Sequence, residues 1–120
     1  MRPARIRDIT MTTEQLMGVE QLLNSYEKDY FTGVFSESTI KNDLQTRKAS
    51  DAYSRMGSGP PTNYLSQKKQ FYYKDFDDTE EYLGKIDKML NGQSKTHPLL
   101  LRSAKCRSQI AKLREIVRNF

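Results

Sequence analysis

A chain of 120 residues, 36% of them hydrophobic, fits one domain with a modest core. One cysteine excludes an internal disulfide and any zinc site built from cysteines, and it indicates a reducing compartment, the cytoplasm. No stretch approaches the run of about 20 apolar residues that is needed to span a bilayer, so we expect no membrane partner. The net charge of +5 favours a polyanionic partner. At the start of the chain, Arg2, Arg5 and Arg7 are followed by no apolar run, so residues 1–11 predict a basic arm and not a signal peptide.

The first predicted helix runs from Thr12 to Phe31. Thr12 and Gln15 have the spacing of a capping box, in which each side chain bonds the other residue's backbone amide. Apolar and aromatic residues then recur at spacings of 3, 4, 3 and 4, which is typical of one helix face: Leu16, Val19, Leu23, Tyr26 and Tyr30. Gly33 marks the end of this element.

A weaker second helix is predicted from Ser36 to Met56, with Ser36 or Ser38 as its N-cap. Its expected apolar face is discontinuous: Ile40, Leu44, Ala52, Tyr53 and Met56. The next segment, Gly57–Asn63, holds two Pro and two Gly within seven residues. Such a sequence cannot continue a helix, so residues 57–63 predict an exposed connection.

Residues 64–76 are ambiguous, because their aromatic residues favour a strand while their spacing fits a helix equally well. A lone strand would lack a partner, so helix or irregular chain is favoured. A separate helix is predicted from Asp78 to Leu90, with Asp78 and Glu81 as a capping pair in an acidic first turn. Asn91 and Gly92 end it.

The last helix is expected from Pro98 to Asn119, since proline suits a first helical turn. The predicted fold is therefore all-α: a small bundle or orthogonal array of about four helices in a single domain spanning residues 1–120.

Charge alternates along the chain. Residues 12–35 and 75–90 carry net charges of −3 and −4, whereas residues 91–120 carry +6. On a wheel of about 100° per residue, Arg107, Arg114 and Arg118 border the apolar stripe of the last helix. Cations on both flanks would repel each other in a parallel homodimer of this helix. We therefore expect the last helix, whose flanking arginines suit a partner, to pack against an acidic neighbour, either Glu20 and Glu27 or residues 75–81.

Catalytic and metal-binding patterns are missing from the sequence, so we expect a non-enzyme without cofactor or metal. His97, the only histidine, precedes Pro98 and is interpreted as a loop residue or a contact at the helix start. The acids of residues 77–81 are explained by capping. Cys106 lies on an apolar helix face and is interpreted as a buried small hydrophobic residue.

Two classes of function remain. The first is a small non-enzymatic accessory or regulatory protein that acts in a nucleic-acid-handling assembly and contacts the phosphate backbone. The alternative is a protein-binding adaptor or inhibitor that acts through an exposed aromatic or apolar patch and does not bind nucleic acid. Between Tyr64 and Lys74, aromatics that could stack on unpaired bases alternate with lysines, although the same aromatics could be core. A helix-turn-helix at residues 35–48 is disfavoured, because the acidic first helix suits a phosphate backbone poorly. The candidate contacts for nucleic acid or a partner are Arg2, Arg5, Arg7, Lys41, Arg47, Lys48, Lys68, Lys69, Tyr72 and Lys74.

Overall fold

Four α-helices make up the described part of the chain in the computed structural model, which covers residues 12–57, 59–90 and 97–120. They are α1 (Thr13–Glu27), α2 (Glu37–Met56), α3 (Tyr64–Leu90) and α4 (Pro98–Arg118). A π-helical segment, Lys28–Thr32, continues α1. These residues contain no strand, which confirms the all-α prediction. The predicted arm of residues 1–11 lies outside the described residues.

α1 begins as its sequence predicts. The Thr12 hydroxyl accepts the Gln15 amide at 3.1 Å, and the Gln15 side chain accepts the Thr12 amide at 2.8 Å, so the capping box is formed. Val19 and Leu23 are buried, and the π-helical segment buries Tyr30. The predicted apolar stripe is therefore the face that α1 turns to the core.

The π-helical segment places Tyr30 where it joins two other helices. Its hydroxyl donates to Asp75 at 2.6 Å and lies 2.8 Å from the Thr79 hydroxyl, both on α3. The Gln109 side chain of α4 donates to the Tyr30 carbonyl at 3.1 Å. Burial, assisted by the bond to Asp75, raises the pKa of Tyr30, so the phenol stays protonated.

Only the first half of α2 buries the apolar face that its sequence predicts. Ser36 caps the helix, and Ile40 and Leu44 are buried. The prediction that Tyr53 and Met56 extend this face is wrong, because they are 80% and 86% exposed. Tyr53 lies nine residues beyond Leu44, which is half a revolution away at about 100° per residue. The apolar residues of α2 therefore belong to two different faces.

α3 is one continuous helix, so residues 64–76 are helical and the predicted helix start at Asp78 is wrong. Tyr72, Phe76 and Leu83 lie on one side and are all buried, so a single apolar face crosses the predicted boundary. The sequence between Tyr64 and Leu90 contains no proline to interrupt it. The acidic residues that resembled a first turn lie inside the helix.

α4 completes the core. The His97 side chain accepts the Leu99 amide at 3.1 Å, which makes His97 the N-cap and confirms its expected contact at the helix start. Cys106 is fully buried, as predicted, and burial raises the pKa of its thiol to about 11. The other predicted stripe residues of α4 are also buried: Leu99, Ile110, Leu113 and Val117. No described helix is both long enough and apolar enough to cross a membrane.

Candidate functional site: the distal α2–α3 hairpin

α2 and α3 form an antiparallel hairpin whose two halves differ. Near its base, α4 packs against both helices, α1 packs against α4, and Tyr30 of the π-helical segment contacts α3. Phe120, at the end of α4, lies in a shallow concavity with Lys41 and Gln45, so α4 stops level with the middle of α2. Beyond Leu44, Asp51 is the only buried residue of α2, and the first buried residue of α3 is Tyr72. We name residues 45–57 and 59–74 the distal hairpin.

Asp51 closes the far end of the distal hairpin. Its carboxylate accepts the Thr62 hydroxyl at 2.5 Å and the amides of Tyr64 and Leu65 at 2.9 Å each. The latter two amides belong to the first turn of α3, where no residue four positions earlier can accept from them within the helix. These hydrogen bonds, that of Thr62 above all, lower the pKa of Asp51. A residue of α2 thus serves as the N-terminal cap of α3.

A second polar group joins the helices nearer the base. The Tyr72 hydroxyl donates to Asp43 at 2.7 Å, and Arg47 donates to the same carboxylate at 3.0 Å. Burial, assisted by Asp43, raises the pKa of Tyr72. The Lys68 ammonium lies 4.3 Å from the centre of the Phe71 ring and 5.3 Å from that of Tyr72. Polar contacts therefore hold the two helices together where the apolar core ends.

The distal hairpin is strongly basic. Its single acid is Asp51, and its net charge is +5, the same as that of the entire chain. Asp51 is committed to capping α3, so it offers no carboxylate to the surface. The cations of the distal hairpin are Arg47, Lys48, Arg55, Lys68, Lys69 and Lys74.

Three of these cations are placed on one broad side of the hairpin. Two of them, Lys48 and Arg55, follow Lys41 at spacings of seven residues and so lie in a row with it along α2. Phe120 lies beside Lys41, on this side of α2. On α3, Lys69 precedes Tyr73 by one turn and shares a shallow surface depression with it. Asp77, one turn beyond Tyr73 on α3, pairs with Arg114 of α4, so this side of α3 faces α4. We name Lys48, Arg55 and Lys69, which continue this side beyond α4, the basic face.

The cations of α4 have a different environment, because the acidic residues of its neighbours face them. Arg102 pairs with Glu27 of α1 at 2.7 Å, and Lys112 pairs with Glu37 of α2 at 3.0 Å. These contacts confirm that α4 packs against acidic neighbours.

Two of the three arginines predicted to face a partner are in ion pairs with α3. Arg107 pairs with Asp87 at 2.5 Å, and Arg114 pairs with Asp77 at 2.5 Å and with Glu80. The third, Arg118, pairs with Glu115 of its own helix and is exposed. Most of the positive charge of α4 is thus neutralised inside the fold.

The remaining predicted contact residues fall into three groups. Arg2, Arg5 and Arg7 lie outside the described residues. Lys41 pairs with Glu37, and Arg47 pairs with Asp43. Lys48, Lys68, Lys69 and Lys74 have no ion-pair partner within residues 12–57, 59–90 and 97–120.

Tyr72 needs a correction, because it is buried and hydrogen-bonded to Asp43 and so cannot contact a ligand. Of the neighbouring aromatics, Tyr64 and Phe71 are the exposed ones. Arg55 and Asp51, which belong to the distal hairpin, were not among the residues predicted from the sequence. The seven-residue spacing from Lys41 through Lys48 was the available signal for Arg55, whereas the cap formed by Asp51 joins residues that are distant along the chain.

The fold and the charge layout define a small all-α bundle with a basic hairpin that extends past its core. No protein-family model, curated protein or solved structure matches this chain. The residues of the hairpin are therefore the basis for assigning a function.

Proposed function

We propose that this chain is a non-enzymatic accessory protein of a nucleic-acid-handling assembly, and that its distal hairpin contacts the phosphate backbone. The observation that carries the proposal is the concentration of cations on a hairpin half whose only acid is the capping residue Asp51. Lysine and arginine side chains that neutralise phosphates release bound counterions, which drives binding to nucleic acid of any sequence.

The distribution of charge supports the hairpin over α4 as the contact. The arginines of α4 are paired mainly with carboxylates of α1 and α3, so a phosphate would have to displace a partner already in place. Lys48 and Lys69 have no such partner among the described residues, and Lys48 is exposed while Lys69 is half-buried. The acidic segment at residues 75–81 would repel a polyanion from the bundle. This repulsion would turn the distal hairpin, and not the bundle, toward the polyanion.

The direct test compares two charge reversals of equal size. Lys48→Glu with Lys69→Glu alters the basic face, and Lys28→Glu with Lys88→Glu alters exposed lysines outside the distal hairpin. Binding to nucleic acid is measured from about 50 to 200 mM salt, where phosphate contacts weaken steeply. We expect the basic-face variant to bind more weakly and to reduce the salt slope by about 2, since each lost phosphate contact removes about 1.

The control variant should retain the affinity and slope of the parent, because its lysines lie outside the distal hairpin. Equal losses in both variants would mean that net charge matters and the hairpin does not. No binding of the parent protein at about 50 mM salt would refute the proposal, because phosphate contacts are strong there.

A protein-binding adaptor or inhibitor is the second candidate, favoured by the outer side of α2. Tyr53 and Met56 are one helical turn apart there and are the two most exposed large hydrophobic residues described. Exposed apolar side chains that lie together are typical of a surface that binds another protein. For this candidate we expect no nucleic-acid binding by the parent chain at about 50 mM salt, and Tyr53→Ser with Met56→Ser should abolish binding to the protein partner.

A further inference from the structure

Two exposed aromatics of α3 lie beside lysines of the distal hairpin. Tyr64 is 46% exposed and Phe71 is 51% exposed. They are seven residues apart and so lie on the same side of α3, separated by about 10 Å along its axis. Lys68 lies between them, with its ammonium 4.3 Å from the centre of the Phe71 ring. Lys74 follows Phe71 by three residues, so we name Tyr64, Lys68, Phe71 and Lys74 the aromatic stripe.

We propose that the distal hairpin binds single-stranded nucleic acid in preference to duplex, with Phe71 and Tyr64 stacking on unpaired bases; this inference rests on the proposed function. Every base has a flat face, so stacking tolerates any sequence, and it adds to the phosphate contacts of neighbouring lysines. In the aromatic stripe each ring has a lysine within one turn, so a base on the ring would place its phosphates near an ammonium group.

The shape of the hairpin disfavours a duplex. Two helices side by side are about 20 Å wide, whereas the major groove of B-DNA is about 12 Å wide and admits one helix. The outer side of α2 could enter a groove, but its residues are uncharged: Gln45, Thr46, Ala49, Ser50 and Tyr53. On α3, the exposed ring of Phe71 has no donor or acceptor for base edges, whereas it can stack on an unpaired base.

The bundle supplies a matched control on the same helix. Tyr82 is 52% exposed, and the Lys85 ammonium lies 5.1 Å from the centre of its ring. It therefore repeats the pairing of Phe71 with Lys68 in exposure and chemistry, but it lies outside the distal hairpin. If the removal of any exposed aromatic weakened binding, Phe71→Ala and Tyr82→Ala would weaken it equally.

The test measures binding of a 12-nucleotide oligothymidylate and a 12-base-pair DNA duplex, sizes chosen because single-strand sites span about 4–16 nucleotides. We expect the parent to bind the single strand more tightly. Phe71→Ala should weaken single-strand binding by about five-fold to 150-fold, the equivalent of one lost stacking contact. Its salt slope should match that of the parent, because no phosphate contact is lost.

Phe71→Tyr should keep the affinity, because it keeps the ring, and Tyr82→Ala should leave it unchanged. Thermal unfolding of each variant shows whether it is folded, and Tyr64→Ala replaces Phe71→Ala if the latter is not. Duplex binding that equals or exceeds single-strand binding, or no effect of removing the rings, overturns this inference and leaves the proposed function intact. Binding to neither probe at about 50 mM salt overturns both.

Discussion

Reversal of one arginine in α4 tests whether the ion pairs between α3 and α4 stabilise the bundle. The Arg114 side chain is 32% exposed, bonds both Asp77 and Glu80, and lies 5.7 Å from the centre of the Phe76 ring. Partly exposed ion pairs contribute about 0.2–1 kcal/mol each, and a cation near an aromatic ring contributes about 0.5–1 kcal/mol. Arg114→Glu loses these contacts and adds a third carboxylate, so we expect a loss of about 2 kcal/mol.

For a domain of this size, a loss of about 2 kcal/mol lowers Tm by about 8 °C, which circular dichroism measures readily. The double variant Arg114→Glu with Glu80→Arg restores an opposite-charge pair and should recover most of the loss. Arg118→Glu is the matched control, because Arg118 is exposed and its ion-pair partner among the described residues is Glu115 of its own helix. The reasoning fails if Arg114→Glu leaves Tm unchanged, if Arg118→Glu lowers it as much, or if the charge exchange recovers nothing.

Three further predictions concern single positions. A methyl group on Gly33 would lie 2.9 Å from the Lys28 carbonyl oxygen, whereas one on Gly18 would meet nothing within 4 Å. We therefore expect Gly33→Ala to lower the free energy of unfolding by about 1–3 kcal/mol and Gly18→Ala not to lower it, as measured by urea titration. The folded-state pKa of Asp51 is lowered from 3.8, so its contribution to stability is present above that value and is lost as the pH falls through the lowered one. Asp51→Asn should therefore lower Tm at pH 7 and flatten the loss of Tm in acid; an unchanged acid profile would contradict this. Cys106, with a pKa of about 11 and no exposure, should react with a thiol reagent at pH 8 only after unfolding in guanidinium.

The element boundaries show what the sequence can predict about this fold. The capping box at Thr12 and the proline at position 98 were sufficient to start α1 and α4 correctly, because both signals act within one turn. The acids near Asp78 led to a wrong prediction of a helix start, because carboxylates in a first turn and carboxylates that pair with a neighbouring helix have the same sequence pattern. In the structure, Asp77 and Glu80 pair with Arg114 of α4. Only a tertiary contact distinguishes the two cases.

Several lysines of the candidate site were predictable from the sequence, but Arg55, Asp51 and the arrangement of the site were not. Lys48, Lys69 and Lys74 were identified from the sequence, but so were Arg107 and Arg114, which are neutralised in the fold. Sequence can place a cation on a helix face, yet it does not show which face another helix covers. α2 illustrates this limit, because its sequence shows apolar residues on two faces but does not show which of them α4 covers.

The polar contacts of the hairpin explain how a basic surface can persist beyond the core. Beyond Leu44, α2 buries no apolar residue, so the apolar core does not join the outer ends of α2 and α3. Instead Asp51 holds the far end through the amides of α3, while Asp43 holds the middle through Tyr72 and Arg47. Asp43 neutralises Arg47 and Asp51 offsets one further cation, but Lys48, Lys68, Lys69 and Lys74 have no ion-pair partner among the described residues and keep the hairpin positive. The same two acids thus allow the hairpin to be both ordered and strongly positive, which is what contact with a polyanion requires.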